Sequence, residues 1–394
     1  MWLLDYIEKG TYMAFRKQLA HILECCEGKK VAVWGAGVRG IVAGLVLDEL
    51  GVRDYCYIDS APEKQGKQLG GHPVMAFDGV DKTNTYFVLS MEYQRGVKEL
   101  LVENGLKEET DFFGLVSAEE DWMLDKLKRT ADSTCLVLGA SVLNNIPLDE
   151  KDTMNLAESL EVLLHNAKVL GVPNLSMVLM YYLMETELFQ NPFCKKVCIL
   201  VDFKEFTTYH CKLPRTQKPE LLQKLETVAN AVGNTELMIQ MERVYEKSFI
   251  QSEDYELENK YSPNRIEGDR FDRIKQYLEY SVTDAFDSDC DEIEYLTRML
   301  ESARNKDVSV TIVIQPMNAE LCRELCGEAF EKSYEKKRNI LCYLAKEYGA
   351  KCLDAGELLS KNHFIMMNSP NDVIRYEGRE CFAKYICDFA IEEE

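Results

Sequence analysis

Three short stretches carry residues whose types and spacing could do chemistry. In "CLVLGASVLNNIPLD" an apolar run leads directly into Gly139, Ala140 and Ser141. The small pair lets the backbone turn sharply, so Ser141 is left with an exposed hydroxyl that could attack an acyl carbon if a base removed its proton. In "SPNDVIRYEGRECF" an acid, Asp372, is followed three positions later by Arg375, and Gly378 opens an amphipathic helix. Histidine at 375 would supply a general base. Arginine stays protonated and cannot; it can pair bidentately with Asp372 or with a ligand carboxylate or phosphate. His363, in "SKNHFIMMNSPND", precedes Asp372 and is the histidine placed to enter the same cleft as a replacement base. The third stretch is "VAVWGAGVRGIVAGL", where Gly35, Gly37 and Gly40 form G-x-G-x-x-G. Gly35 permits a tight turn, Gly37 lets a phosphate approach the backbone, and Gly40 lets helix pack on strand. The helix N-terminus then faces the phosphate, and Asp59, ending the next apolar run, is placed to accept from ribose hydroxyls.

These residues need strands and helices to hold them. Residues 1 to 27 read as a helical lead-in, with Phe15, Leu19, Ile22 and Leu23 at helical spacing. From 28 to about 116, "KKVAVWG", "RDYCYIDS" and "TYFVLSM" read as strands alternating with helices, which implies a parallel sheet covered on both faces. A charged helical connector spans 117 to 132. A second α/β unit follows from 133 to 394: a strand at "STCLVLGAS", helices to about 190, then strands at "KKVCILVDF", "VSVTIVIQP" and "AKCLDA". An acidic helical insertion occupies about 215 to 305. The fold class expected is α/β throughout, a small doubly wound domain followed by a three-layer one.

The text "WGAGVRG … YCYIDSAPEKQGKQLGGHPV" resembles Rossmann-like modules of bacterial sugar-modifying and polysaccharide-assembly proteins, such as the amino-terminal domain of sugar-nucleotide acetyltransferases. The resemblance implies a nucleotide or nucleotide sugar at the glycine turn; NAD is the redox alternative, and a scaffold that holds nothing is the bland one. The second unit resembles the SGNH/GDSL hydrolase superfamily, in the branch that modifies acyl groups of the cell envelope. "VLGAS", "MNLAES", "VTIVIQPMN", "YGAKCLDAGELL" and "NDVIRYEGRECFAKYI" come in that family's order. It implies a flavodoxin-type α/β/α fold, Ser141 as nucleophile and Asp372 as the acid of the terminal D-x-x-H motif. Three departures stand against activity: Arg375 replaces the histidine, Ala157 replaces an oxyanion-binding glycine, and the G-x-N-D block is absent, "CILVDFKEF" offering Asp202 without asparagine.

Composition narrows the partners. The net charge of -21 and sequence pI near 4.8 repel phosphate backbones and anionic head groups, so nucleic acid and membrane insertion are not expected. Fourteen cysteines without a basic-then-apolar leader read as reduced thiols of a cytoplasmic chain. Cys194 with Cys198 and Cys322 with Cys326 have a spacing that would share a helix face, but with no C-x-x-C pair no metal is expected. Three functions remain open: a serine esterase or acyltransferase with an unusual base, a nonenzymatic protein holding a nucleotide or glycan ligand, and, last, an NAD-dependent oxidoreductase.

Overall fold

The structure is a computed structural model describing residues 9–26, 28–91, 94–116, 118–128, 133–144, 154–173, 175–207, 225, 233–234, 237, 270–286, 290–365 and 373–391. Asp372 and His210 lie outside the described residues, as does most of the acidic stretch before 270. The chain divides into two compact units, Met1–Trp122 and Met123–Glu394.

In the first unit, α1 (Lys9–Cys25) precedes β1 (Lys30–Trp34), α2 (Val38–Glu49) and β2 (Tyr55–Ile58). Then come β3 (Gln68–Leu69), β4 (His72–Met75), β5 (Thr85–Leu89), α3 (Arg95–Glu103) and β6 (Phe112–Gly114). The sheet runs β3-β4-β2-β1-β5-β6, parallel except for the short antiparallel β3. Without β3, its five parallel strands follow the order 3-2-1-4-5 of a doubly wound nucleotide-type sheet. Strands buried on both faces read as unbroken apolar runs, and β1 and β5 do. Their side chains nevertheless divide by period two. Val31, Val33, Tyr55, Tyr57, Tyr86 and Val88 pack against Phe15, Leu19 and Ile22 of α1 and Val42, Val46 and Leu47 of α2. Ala32, Trp34, Ile58, Phe87 and Leu89 pack on the opposite face with Leu101 of α3 and Phe112.

The helix α4 (Ala118–Lys128) contains the division between units. The second unit then places β7 (Cys135–Gly139), α5 (Leu156–Leu163), β8 (Ala167–Gly171), α6 (Met177–Gln190) and β9 (Lys196–Val201). Further on lie α7 (Arg270–Leu278), α8 (Asp291–Asn305), β10 (Ser309–Ile314), α9 (Ala319–Cys326), α10 (Glu328–Glu347), β11 (Lys351–Asp354) and α11 (Tyr376–Tyr385). Its sheet runs β11-β10-β9-β7-β8, all parallel. In order of appearance that is 2-1-3-4-5 read from the other edge, the flavodoxin-type order.

Two sequence expectations are corrected here. β8, "AKVLG", lies inside the stretch read as helical. Its Lys168 looks like a solvent residue, but the side chain is buried in an ion pair with Glu187 of α6 at 2.6 Å. Cys194 and Cys198 do not share a helix face: Cys198 is within β9, and Cys194 lies just before it. Among the described residues no group of His, Cys, Asp and Glu is placed to hold a metal ion, and no helix is long and apolar enough to cross a membrane.

Candidate functional sites at the two sheet edges

In doubly wound sheets the ligand crevice lies beyond the carboxyl ends of the strands, where the strand order reverses. In the first unit that point is between β1 and β5. Gly35 follows β1 with φ +102, a left-handed backbone that disfavours any side chain. Its N–H donates to Ile58 O at 2.8 Å, and Ser90 Oγ, beyond β5, donates to Trp34 O at 2.8 Å. A Cβ on Gly40 would sit 1.8 Å from the Gly35 carbonyl oxygen, so only glycine lets α2 come this close. Gly37 caps α2, and a Cβ there would meet nothing within 4 Å. The turn therefore presents open space at the helix N-terminus, a shape into which a phosphate group fits.

Asp59 is partly committed already. Its Oδ2 accepts from Ala36 N within the glycine turn (2.9 Å) and from Lys64 Nζ (2.9 Å), while Oδ1 accepts from Ala61 N (3.0 Å). Burial raises this carboxyl, but hydrogen bonds from Lys64, Ala61 and Ala36 outweigh it and hold Asp59 below the usual carboxylate range. Asp59 thus orders the turn itself, and a ribose hydroxyl would compete with Lys64 for the carboxylate. Arg39, in the first turn of α2, donates to Ser90 O and Leu115 O and stiffens the same edge.

In the second unit the order reverses between β7 and β9. Ser141 lies past the end of β7 and opens a 3-10 turn, Ser141–Leu143. Local packing explains the turn. A Cβ on Gly171 would strike Gly139 O at 2.1 Å and Leu143 at 2.6 Å, so the two glycines ending β7 and β8 make room for Leu143 beneath the serine. Asn144 Nδ2 closes the turn onto Gly171 O at 2.8 Å. No described residue hydrogen-bonds to Ser141 Oγ.

Of the other expected members, His363 and Arg375 are described, and neither hydrogen-bonds to Ser141; Asp372 lies outside the described residues. His363 and Arg375 are backbone neighbours: Phe364 pairs with Ile374, and Arg375 N donates to His363 O at 2.7 Å. The His363 ring contacts Ser360 Oγ through Nδ1 at 3.1 Å. Arg375 takes the capping position of α11. One turn later Arg379, 1% exposed, donates to Ile374 O (2.6 Å) and Met154 O (3.2 Å), tying α11 to the approach of α5. The "MNLAES" stretch starts α5 with a capping box, Asn155 accepting from Glu158 N, and Ala157 is buried. The remaining described histidines do not supply a base: His72 stacks on Tyr55 at 3.6 Å in the first unit, and His21 and His165 are exposed on other elements.

Sequence reading missed a charged cluster beside the end of β9. Asp202 caps the 3-10 turn Phe203–Phe206 and exchanges hydrogen bonds with its residues. Burial, then the charges of Asp202 and Glu292, push the Glu205 carboxyl well above its usual range. Burial pushes Glu292 up to about 8, against a 2.5 Å hydrogen bond from Met177 N. Burial likewise pushes Lys337 of α10 down to about 8, opposed by Asp284 and Asp202. Its Nζ donates to Val282 O at 2.6 Å, as does Ser333 Oγ at 2.7 Å. Val282 belongs to a π-helical turn, Glu279–Thr283, whose carbonyls are released from the α-helical ladder. Asp202 stands out in the sequence only for lacking a partner asparagine, while Glu292 and Lys337 lie on segments that read as polar surface.

No family model matches the chain, and no curated protein matches it. Among solved structures, a catalytic mutant of Axe2, an acetylxylan esterase from Geobacillus stearothermophilus, aligns with a TM-score of 0.33 and 8% identity, covering 68% of this chain and 97% of that one. LAE5, an alpha/beta hydrolase enzyme from the metagenome of Lake Arreo, Spain, aligns with a TM-score of 0.28 and 7% identity, covering 66% and 96% respectively. Likenesses this distant transfer neither fold nor activity. The chain is an α/β protein with two parallel-sheet units on the strength of its own strand orders.

Proposed function

We propose that this protein acts in the assembly or acyl modification of a bacterial surface polysaccharide or another glycan. In this reading the first unit holds a nucleotide or nucleotide sugar, and the second keeps a hydrolase-like layout without a standard Ser-His-Asp engine. The observation that carries it is the glycine turn. Gly35 is left-handed, Gly40 has no room for a side chain, and Gly37 leaves open space at the start of α2, all at the point where the strand order reverses. Those are the features a backbone–phosphate contact requires, and the acidic exterior disfavours the polyanionic alternatives. The resemblance of the first unit to sugar-nucleotide modules, and of the second to proteins that handle acyl esters, supports the glycan setting.

The test is calorimetric titration of the full chain with UDP, UDP-N-acetylglucosamine and NAD. Saturable binding of UDP or the UDP-sugar, with NAD weaker, is the expected result; no binding by any of the three overturns it.

A second reading is favoured by one observation, the Ser141 hydroxyl at the second reversal point, to which no described residue hydrogen-bonds. In it the protein is a serine esterase or acyltransferase whose base is His363. Labelling with a fluorophosphonate probe, read by peptide mass spectrometry, separates the two readings. Modification of Ser141 that disappears in His363→Ala supports turnover; an unlabelled Ser141 leaves the second unit as a binding module.

A further inference from the structure

The seam between α10 and β11 is laced by three contacts in a row. Tyr334, Arg338 and Cys342 are spaced by four along α10 and fall on one helical face. Cys352 and Asp354 are two apart on β11 and fall on one face of the sheet. Tyr334 Oη donates to Asp354 Oδ1 at 2.5 Å, and the Arg338 guanidinium lies 3.9 Å from Asp354 Oδ2. At the other end of the row, Cys342 Sγ lies 2.9 Å from Cys352 Sγ. That is closer than two non-bonded carbon atoms pack, about 3.5–4.0 Å. Both cysteines are half-buried, so neither is sealed from solvent.

We propose that Cys342 and Cys352 form a site of reversible oxidation, a thiol pair that closes to a disulfide by exchange with an oxidised low-molecular-weight thiol. The chemistry balances. A thiolate of the pair attacks the external disulfide RSSR, giving a mixed disulfide and RS⁻. The second cysteine sulfur then displaces the remaining RS⁻, and the two protons given up by the pair end on the two RSH released. The protein sulfurs lose two electrons and the external disulfide gains them. A covalent S–S bond of about 2.05 Å requires less than about 1 Å of further approach. Closure would lock the lower end of the seam, while the Tyr334–Asp354 end lies where β11 meets the carboxyl edge of the sheet. Burial, then Cys342, raises the Cys352 thiol, so the exchange accelerates as pH rises.

The test uses the full chain, reduced and desalted, then treated with oxidised glutathione, alkylated and digested with trypsin. Cleavage after Arg338, Lys346, Lys351 and Lys361 separates the two cysteines into residues 339–346 and 352–361. The expected result is one cross-linked species joining these peptides, with simultaneous loss of alkylation at both cysteines, reversed by dithiothreitol and faster at pH 9 than at pH 7. Cys342→Ser abolishes the link, and Cys381→Ser, at an exposed cysteine, leaves it intact. The exposed Cys381 also reports whether the oxidant acted. If Cys381 takes up glutathione while Cys342 and Cys352 remain alkylated separately, or if Cys352 links to another cysteine, the proposal is wrong.

Discussion

Past β1 the chain turns on glycine and leaves Gly37 facing open space; past β9 it fills the corresponding edge with Asp202 and Glu205, joined by Glu292 and Lys337 from other elements. Both edges are reversal points of doubly wound sheets, so both are places where such folds bind ligands. They differ in what satisfies the polar groups. In the first unit Asp59 is ionised and bonded to Ala36, Ala61 and Lys64, and the helix N-terminus remains available. In the second, carboxyls are buried close together, and no described residue gives Ser141 a base. Shared topology therefore locates a crevice without deciding its chemistry; that depends on which side chains the following loops bring in.

The largest effect that would test this contrast is expected at Gly40. Alanine there would place Cβ 1.8 Å from the Gly35 carbonyl oxygen, a backbone atom with no rotamer to escape through. A loss of about 5 kcal/mol or more from the first unit is expected, at the extreme of single substitutions. Of the chain's three tryptophans, Trp34 is buried in the core of that unit, so tryptophan fluorescence reports its unfolding. Gly40→Ala should abolish or sharply lower the tryptophan transition while the unfolding of the second unit is retained. An unchanged tryptophan transition would show that α2 does not need its close approach to β1.

The two edges should also respond to pH with opposite signs. Glu292 is raised to about 8 by burial. Below about pH 4.5 it is protonated in both folded and unfolded chains and carries no penalty. As pH rises towards 8 the unfolded carboxylate ionises while the buried one stays neutral, so the folded state binds more protons and loses stability. A loss on the order of 3–4 kcal/mol is expected for the second unit between pH 5 and 8, and Glu205 acts in the same direction. Lys337, lowered to about 8, reverses the trend above that pH, because the unfolded lysine then holds the extra proton. Asp59 is lowered, so its contribution is complete above its unfolded value and is lost only as pH falls through the folded one. Calorimetric scans across pH should show the second unit weakening from pH 5 to 8 while the tryptophan-reported unit holds steady. Glu292→Gln should flatten the slope; a slope that survives would place its origin elsewhere.

What was legible in the sequence follows from the same contrast. β1, β5, β7, β9 and β10 read correctly because strands buried on both faces are continuous apolar runs, and the tight turn at Gly35 and close packing at Gly40 were legible because their constraints are local and steric. β8 did not, because the burial of Lys168 depends on Glu187, 19 positions away, whose carboxylate also accepts from Gln190 and Asn191. The burial of the cluster at β9 was invisible for the same reason: Glu292 reaches Glu205, and Lys337 reaches Asp202, only through tertiary packing, and each alone resembles a surface charge. His363 was expected as a replacement base near Asp372; what the structure shows is a backbone pairing with Arg375, which says nothing about proton transfer.

The smallest expected change in stability is the most discriminating. At Gly37 φ is -110 and a Cβ would meet nothing within 4 Å, so Gly37→Ala costs the fold only the poorer capping of α2 by alanine. Its effect on the tryptophan transition should stay within about 1 kcal/mol, the cost of alanine in place of glycine at a helix N-cap. The space that makes it sterically harmless is the space a phosphate would use, and a methyl group there stands between ligand and backbone N–H. Calorimetry with UDP should therefore show at least about tenfold weaker binding, roughly 1.4 kcal/mol. Gly40→Ala cannot separate the two effects, since it removes the fold along with the site. If Gly37→Ala keeps both stability and affinity, UDP does not approach the turn and the open space past β1 is a by-product of α2 packing. If stability holds while affinity falls, the glycine turn is a binding surface, and the difference between the two edges is one of function as well as of packing.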